Sequence, residues 1–453
     1  MIRRACSATL RLVMRTFFRR IEIAGAERLP ASGPLIFVLN HPNGLVDPLF
    51  LLCFSPRPVS FLAKAPLFRI PVVGFFVRAF GSIPVHRRQD PGSDVARNRE
   101  TFARARDLLA RGGVLALFPE GASHDAPKLL ALKTGAARIA LGVAAEEGLR
   151  VVPASLYYTW KTRFRSSALL SFGDPIPVEP APLDDLGEPD PEAVRELTRR
   201  IERALSELTL QAEDREALDL VRRAERVFSI EQEEAESPLA DQLELRRRFV
   251  AGAALLRRRD PERFERLVAR VARFESERRE AGLPLAELAP GRLNARSLAR
   301  LVAANLVWLL LLPFAAVGAF LHYPAYRLAG ILADAFARGE EDQVATIKAG
   351  ASILLFPATW LVTSLAAGLL GGPGAALVAL PLAPLSGYAA LRVRELLDVL
   401  VGRGRAILSA LSRTREASHL LAERRAIHEE LVRVAEDLDL LPEAPESAPT
   451  VRS

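Results

Sequence analysis

Cysteine is scarce in this sequence, which contains only Cys6 and Cys53. The two residues lack the spacing of metal ligands and are too few for a disulfide framework. A Gly-x-Ser-x-Gly elbow is also absent, which excludes the serine nucleophile that such an elbow presents. No small-residue cleavage site follows an apolar core near the N-terminus, so no cleavable signal peptide is expected. We therefore predict no metal site and no cofactor.

Acidic residues are absent from residues 1–20, which carry six arginines between apolar side chains. A basic and apolar helix of this kind is predicted to lie in an anionic membrane interface. Nucleic-acid binding is the alternative for a basic segment. However, this one is too apolar, and no motif that reads DNA or RNA follows it. Membrane lipid is therefore the predicted partner, and nucleic acid is not.

The length of 453 residues exceeds one typical domain. Charged segments with a helical period follow residue 182, whereas the long apolar runs are concentrated late in the chain. These changes predict five regions: a basic interface helix at 1–20, a domain with strand-like runs at 21–180, a charged helical region at 181–290, membrane-embedded helices at 291–395, and an amphipathic helix with a disordered tail at 396–453.

The apolar region contains three runs long enough to enter a bilayer. The run at 301–321 is interrupted by Pro313, and those at 351–370 and 375–391 are separated by a Gly-Gly-Pro-Gly turn. Arginines flank both ends of the region, so both ends are predicted to be cytoplasmic and the number of crossings even. We predict a re-entrant first segment followed by a two-helix hairpin.

The most informative segment is Asn-His-Pro-Asn-Gly-Leu-Val-Asp-Pro at 40–48. It follows the apolar run 35–39, which predicts a buried strand, while Asp47 before proline predicts the N-cap of a helix. His41 is therefore expected in a strand-to-helix loop. A neutral histidine ring can accept a proton, and a neighbouring carboxylate can orient it. The alternative is a loop histidine beside an ordinary N-cap aspartate.

Further motifs follow at increasing distance. They are a strand-like run ending in Arg-Arg at 81–88, an apolar strand ending in Phe-Pro-Glu-Gly at 114–121, an apolar run with a proline at 151–156, and Phe-Gly-Asp-Pro-Ile at 172–176. In order and spacing these blocks resemble the glycerolipid acyltransferase family. The resemblance covers residues 21–180 and is specific, because several independent motifs occur in sequence.

The sequence departs from the commonest family pattern in two places. His41 and Asp47 are separated by one residue more than in most members. The Phe-Pro-Glu-Gly block continues Ala-Ser-His-Asp at 122–125, where most members have Thr-Arg. Both departures resemble the fungal-type glycerol-3-phosphate/dihydroxyacetone-phosphate acyltransferases and their bacterial relatives.

The resemblance implies an α/β domain with a mixed central sheet and acyl transfer to a glycerol-phosphate acceptor, with acyl-CoA or acyl carrier protein as the donor. Lysophosphatidic acid is the alternative acceptor, and a catalytically silent lipid-binding protein is the alternative of another class. The expected location is a bacterial inner membrane, with the catalytic domain on the cytoplasmic side.

The chemistry assigns roles to individual residues. His41 is the predicted base and Asp47 its orienting partner, since the chain offers no evident covalent nucleophile. Arg87 and Lys133 are the predicted phosphate-binding cations. The resemblance places Glu120 and Gly121 in acceptor binding, although Pro119-Glu120-Gly121 could equally form a plain turn. His124 is interpreted as a solvated loop histidine rather than a second polar group of the site. The weaker candidates are Asn43, Gly81, Ser123, His124 and Pro153.

Overall fold

The computed structural model describes residues 2–86, 98–143, 148–160, 164–213, 215–228, 237–281, 285, 299, 302–336, 341–412 and 414–440. The chain divides into two compact units. The first contains Met1–Gln211, Pro238–Ala240 and Pro313–Ala390, and the second contains Ala212–Ser237, Asp241–Leu312 and Leu391–Ser453.

The described helices are α1 (Ile2–Phe17), α2 (Val46–Phe54), α3 (Pro71–Ala79), α4 (Asn98–Ala110), α5 (Gly135–Leu141), α6 (Pro191–Leu208), α7 (Arg215–Phe228), α8 (Leu239–Arg259), α9 (Pro261–Glu280), α10 (Leu306–Leu310), α11 (Leu312–Phe336), α12 (Glu341–Gly371), α13 (Pro373–Ser412) and α14 (Thr414–Asp437), with 3₁₀ helices at Ala26–Arg28 and Ala65–Arg69.

The first unit is built on one sheet. Its strands are β1 (Arg20–Ala24), β2 (Leu35–Leu39), β3 (Val59–Lys64), β4 (Ile83–Val85), β5 (Val114–Leu117), β6 (Leu149–Tyr158), β7 (Ser167–Phe172) and β8 (Ile176–Val178). They are ordered β1-β7-β6-β2-β5-β3-β4, with β8 beside β6. The pairs β6–β7 and β6–β8 are antiparallel, and the other described strand pairs of this sheet are parallel. The prediction of a mixed central sheet is confirmed.

Helices cover both faces of this sheet, which explains why β2 and β5 are apolar along their whole length. Side chains from α1, α2 and α3 join one apolar core, and side chains from α4, α5 and α6 join the other. Along α6, an apolar residue recurs every three or four positions and faces the second core. The first unit therefore extends to Gln211, beyond the predicted boundary at residue 180.

The apolar side of helix α1 packs against the interior of the first unit. The hydroxyl of Ser7 donates to the Leu52 carbonyl at 2.9 Å, and Nη2 of Arg11 donates to the Cys53 carbonyl at 2.7 Å. The buried face consists of Cys6, Leu10, Met14 and Phe17. The apolar side of residues 1–20 therefore packs on the domain core rather than facing lipid, and the location of this helix at a membrane interface stays a prediction. The basic side remains exposed.

The late apolar helices include two segments long and apolar enough to cross a bilayer, Gly350–Gly371 and Pro373–Gly402. Gly372 joins them with a φ of 81°, which favours glycine, so the predicted pair of apolar helices around this turn is confirmed. The predicted interruption near Pro313 is present as a break at Leu311, since α10 ends at Leu310 and α11 starts at Leu312, with Pro313 in its first turn. The re-entrant course of this segment stays a prediction.

The second unit is helical and contains α7, α9 and α14, whose apolar sides share one core around the fully buried Ile427. Arg270 and Glu423 join α9 to α14 through an ion pair of 2.7 Å. The second unit thus combines α7 and α9, which come from the predicted region 181–290, with α14 from the predicted region 396–453. Helix α14 covers the apolar sides of α7 and α9. The predicted tail beyond residue 440 lies outside the described residues.

Candidate active site

The candidate site lies where the parallel strands β2 and β5 end. Asn40 follows β2, and its side-chain amide pairs with the backbone of Leu156 on β6. Its Nδ2 donates to the Leu156 carbonyl at 3.1 Å, and its Oδ1 accepts from the Leu156 N–H at 2.7 Å. These two bonds continue the pairing of β2 with β6 by one residue and fix the backbone immediately before His41.

His41 and Asp47 form a hydrogen-bonded pair, with 2.8 Å between Nδ1 and Oδ2. The Asp47 side chain is fully buried, and its Oδ2 also accepts from the Asn43 N–H at 2.7 Å. The predicted N-cap role of Asp47 is wrong, because α2 begins at Val46 and its N-cap is Leu45. The loop after His41 takes up the extra residue of this motif, so the wider spacing still brings the two side chains together.

Tyr158 is a third member of this group that sequence reasoning missed. Its hydroxyl donates to Oδ1 of Asp47 at 2.6 Å. Burial raises the pKa of Tyr158 well above its ordinary value, and the Asp47 carboxylate raises it further, so the hydroxyl stays protonated and acts as a donor. Tyr158 ends β6, which is parallel to β2. Because the carboxyl ends of parallel strands meet at one edge of a sheet, the position of Tyr158 at the end of an apolar strand could have placed it near His41.

Phe118, which follows β5, fixes the plane of the His41 ring. The two rings stack with centroids 3.8 Å apart and an angle of 9°. Phe61 stacks on Phe118 from β3. With Nδ1 of His41 bound to Asp47, the structure gives no hydrogen bond to Nε2 among the described residues. The stacked ring is therefore held in one orientation with Nε2 available.

Glu120 links the His41 loop to the loop that follows the Phe-Pro-Glu-Gly block. Its buried carboxylate accepts from the His41 N–H at 3.1 Å and from the Leu130 N–H at 2.8 Å. It also contacts Nε2 of His124, while Nδ1 of His124 accepts from the Ala126 N–H. The interpretation of His124 as a solvated loop histidine is wrong, because its ring is mostly buried against Glu120. Acceptor binding by Glu120 stays a prediction from the resemblance.

Gly121 and Lys133 lie together beside this carboxylate. Gly121 has a φ of 77° and donates its N–H to the Phe118 carbonyl, as in the plain turn considered above. A Cβ at Gly121 would lie 2.5 Å from Nζ of Lys133, so a side chain at this position would displace the lysine. The Lys133 N–H donates to the Pro119 carbonyl at 2.8 Å. An exposed cation is thereby fixed next to the turn that positions His41.

The remaining candidates have different surroundings. Gly81 lies in the turn between α3 and β4, near Ser60, and Ser123 belongs to the half-buried loop after Gly121. Pro153 lies within β6, where its pairing partner changes from β8 to β7 and no proline N–H is needed. The described hydrogen bond of Pro153, accepted by its carbonyl from the Gly173 N–H, joins backbone groups of the sheet region. Arg87 lies outside the described residues.

Asn43 is fully buried between His41 and Asp47. Its backbone supports the Asp47 carboxylate, as described above. Its side-chain Nδ2 and Oδ1 have no hydrogen-bond partner in the part of the chain that the structure describes. Asn43 thus belongs to the loop of the pair, and its side-chain role stays a prediction.

The arrangement is suited to general-base chemistry on a hydroxyl. Asp47 can stabilise the imidazolium that forms when Nε2 accepts a proton. Cys53 does not offer a thiolate, because burial raises its pKa to about 12. Within the described residues, no group of three or more His, Cys, Asp or Glu side chains is arranged to hold a metal ion.

The sequence that carries this site is similar to known acyltransferases. Residues 20–157 match the sequence model of the family described as Acyltransferase. An uncharacterized acyltransferase of Schizosaccharomyces pombe is 28% identical over 49% of this chain and 46% of its own length. Glycerol-3-phosphate O-acyltransferase 1 of Saccharomyces cerevisiae is 25% identical over 77% of this chain and 57% of its own length.

A chloroplastic 1-acyl-sn-glycerol-3-phosphate acyltransferase of Arabidopsis thaliana is 34% identical over 32% of this chain and 38% of its own length. The chain spans about half the length of the two fungal relatives that it matches.

Proposed function

Residues 20–157 form an acyltransferase domain of the glycerolipid acyltransferase family, and from this premise we propose that the chain moves a fatty acyl group from a thioester to glycerol 3-phosphate or dihydroxyacetone phosphate. The observation that carries the proposal is the His41–Asp47 pair, with its buried carboxylate and its available Nε2. A catalytically silent lipid-binding protein would not need this pair.

The pair defines the sequence of bond changes. Nε2 of His41 takes the proton of the acceptor hydroxyl while the hydroxyl oxygen attacks the thioester carbonyl carbon. A carbon–oxygen bond forms and the carbon–sulfur bond breaks. The departing thiolate then takes the proton from the imidazolium, which restores the neutral ring. Asp47 stabilises the imidazolium between these two proton transfers.

The choice of acceptor rests on the extent of similarity. Likeness to the yeast glycerol-3-phosphate acyltransferase extends over 77% of this chain, whereas likeness to the plant enzyme for the monoacylated acceptor extends over 32%. Lysophosphatidic acid is therefore the second candidate. Each of these acceptors carries a phosphate, for which Lys133 and Arg87 are the proposed cations.

The proposed location is a membrane. Segments Gly350–Gly371 and Pro373–Gly402 have the length and apolarity to cross it, and few of their side chains are buried within the protein. The flanking arginines favour a cytoplasmic catalytic domain. The arginine-rich composition favours a bacterial inner membrane.

Acyl transfer is tested with the full chain reconstituted in phospholipid vesicles and supplied with radiolabelled acyl-CoA or acyl carrier protein. Glycerol 3-phosphate, dihydroxyacetone phosphate and lysophosphatidic acid are offered in separate reactions. We expect a labelled monoacyl product from one of the first two. Labelled phosphatidic acid alone would favour the second candidate, and no acylation with any acceptor and either donor would contradict the proposed activity.

Replacing Lys133 should weaken acceptor binding. Lys133→Met keeps the aliphatic stem beside Gly121 but removes the charge, so KM for the phosphorylated acceptor should rise by about tenfold, with kcat less affected. KM for the acyl donor should not change. Lys128→Met, an exposed lysine on the same connection, is the matched control. Equal constants for the Lys133 variant and the unmodified chain would reassign Lys133 to the solvated surface.

A further inference from the structure

The acyltransferase domain has an uneven distribution of charge between the two faces of its sheet. Acidic residues are absent from the stretches 1–21 and 48–89. These stretches supply α1, most of α2, β3 and α3. All three helices lie over the first face of the sheet. The one acid of α2, Asp47, is buried in the candidate site.

The opposite face is rich in acids. The connection from β8 to α6 and the first turns of α6 contain Asp184, Asp185, Glu188, Asp190, Glu192 and Glu196. The side chains of α6 join the core of the second face. Arginines pair with some of these acids, as Arg138 does with Glu188 and Arg199 with Glu196. An anionic surface would therefore attract the side of the domain that carries α1–α3 more strongly than the side that carries α6.

The acid-free side also exposes large apolar side chains. Ile70 is 46% exposed and Phe75 is 50% exposed. Both lie in the segment formed by the second 3₁₀ helix and α3, and the exposed arginines Arg69 and Arg78 neighbour them in sequence. Apolar side chains next to cations are typical of protein surfaces that bind the interface of an anionic bilayer.

Helix α1 extends this surface. Its buried side packs on the domain, while Arg4, Arg11 and Arg15 are exposed together with Leu12. Helix α1 contacts both α2 and α3, and the apolar helix α12 contacts α2. Through α2, helix α1 is thus linked to the bilayer-length helix α12.

We propose that the docking face, defined as the exposed side of α1 and of residues 65–79 (the 3₁₀ helix Ala65–Arg69, Ile70 and α3), lies on the surface of an anionic phospholipid bilayer. Ile70 and Phe75 enter the interface, and the arginines meet lipid phosphates. This inference rests on the proposed membrane insertion of α12 and α13. It adds a second attachment and gives the catalytic domain a fixed orientation.

A fluorescent probe at Phe75 tests the orientation in the full chain. Phe75→Cys is labelled with a thiol-reactive nitrobenzoxadiazole dye and reconstituted in vesicles that contain anionic phospholipid. Labelling is selective because both native cysteines are buried and the pKa of Cys53 is raised. Leu186→Cys is the matched control, since Leu186 is 60% exposed and lies on the acidic side. Ile70→Cys provides a second probe of the docking face.

We expect a blue-shifted emission and quenching by nitroxide-labelled lipid at positions 70 and 75, with weaker effects in vesicles of zwitterionic lipid alone. At position 186 we expect quenching by aqueous iodide instead. Iodide quenching at all three positions, in protein that resists carbonate extraction, would overturn the docking but not the insertion. Release by carbonate would overturn the insertion and the inference with it.

Discussion

His41→Ala is expected to lower kcat for acyl transfer by at least about a hundredfold, because it removes the proposed general base. The chain should still be recovered in the membrane fraction, since the late apolar helices are unchanged. The measurement is steady-state turnover with the radiolabelled donor and the preferred acceptor. Circular dichroism of the purified variant reports whether the fold is retained.

Removing the ring leaves the buried Asp47 carboxylate with one partner fewer, which costs stability as well as turnover. His41→Gln separates the two effects, because an amide N–H2 group can donate to Asp47 but cannot act as a base near neutral pH. His419→Ala, at an exposed position of the second unit, is the matched control. Near-normal turnover in His41→Gln would rule out the general-base mechanism.

Asp47→Asn is expected to lower kcat by about a hundredfold with little change in stability. In a serine-protease triad the same substitution costs about ten-thousand-fold, because it favours the wrong tautomer of the histidine. Here an amide oxygen at the position of Oδ2 can still accept from His41 and from the Asn43 N–H. The amide nitrogen can then donate to the Tyr158 hydroxyl. The variant should therefore keep the same histidine tautomer, and its turnover should fall because the negative charge that stabilises the imidazolium is gone.

Tyr158→Phe is the comparison for this variant, because it removes one hydrogen bond to the carboxylate and keeps its charge. Its turnover should fall less than that of Asp47→Asn. Thermal unfolding of both variants checks that the fold is retained. If Tyr158→Phe lost as much activity as Asp47→Asn at equal stability, the hydrogen bond rather than the charge would be the dominant contribution.

The parts of the site that residue patterns alone predict are local, whereas Glu120 was named a site residue only through the family resemblance. One short loop separates His41, which follows β2, from Asp47, which lies in the first turn of α2. Their proximity therefore follows from their spacing in the sequence. Tyr158 and Glu120 reach the same loop from 111 and 79 residues away. Those contacts depend on which strands lie beside β2, and neither residue carries a periodicity that reveals the pairing.

Amphipathicity was informative about α1 but did not identify what covers its apolar side. The same pattern of Cys6, Leu10 and Met14 suits a lipid surface or a protein core, and here the core occupies it. A similar ambiguity hid the pairing of α14 with α7 and α9, because all three are charged amphipathic helices. The apolar side of each helix must be covered, but the amphipathic pattern does not identify the helix that covers it.

The three contacts of the Glu120 carboxylate have a thermodynamic consequence. The segment from Pro119 to Lys133 is closed by a backbone hydrogen bond and held to the His41 N–H through Glu120. If Lys133 binds the acceptor phosphate as proposed, this contact should also restrain the loop that carries His41. Because such linkage is reciprocal, any change that loosens His41 should also weaken the affinity for the acceptor. Acceptor binding and the ordering of the His41 loop are in this way expected to be coupled equilibria.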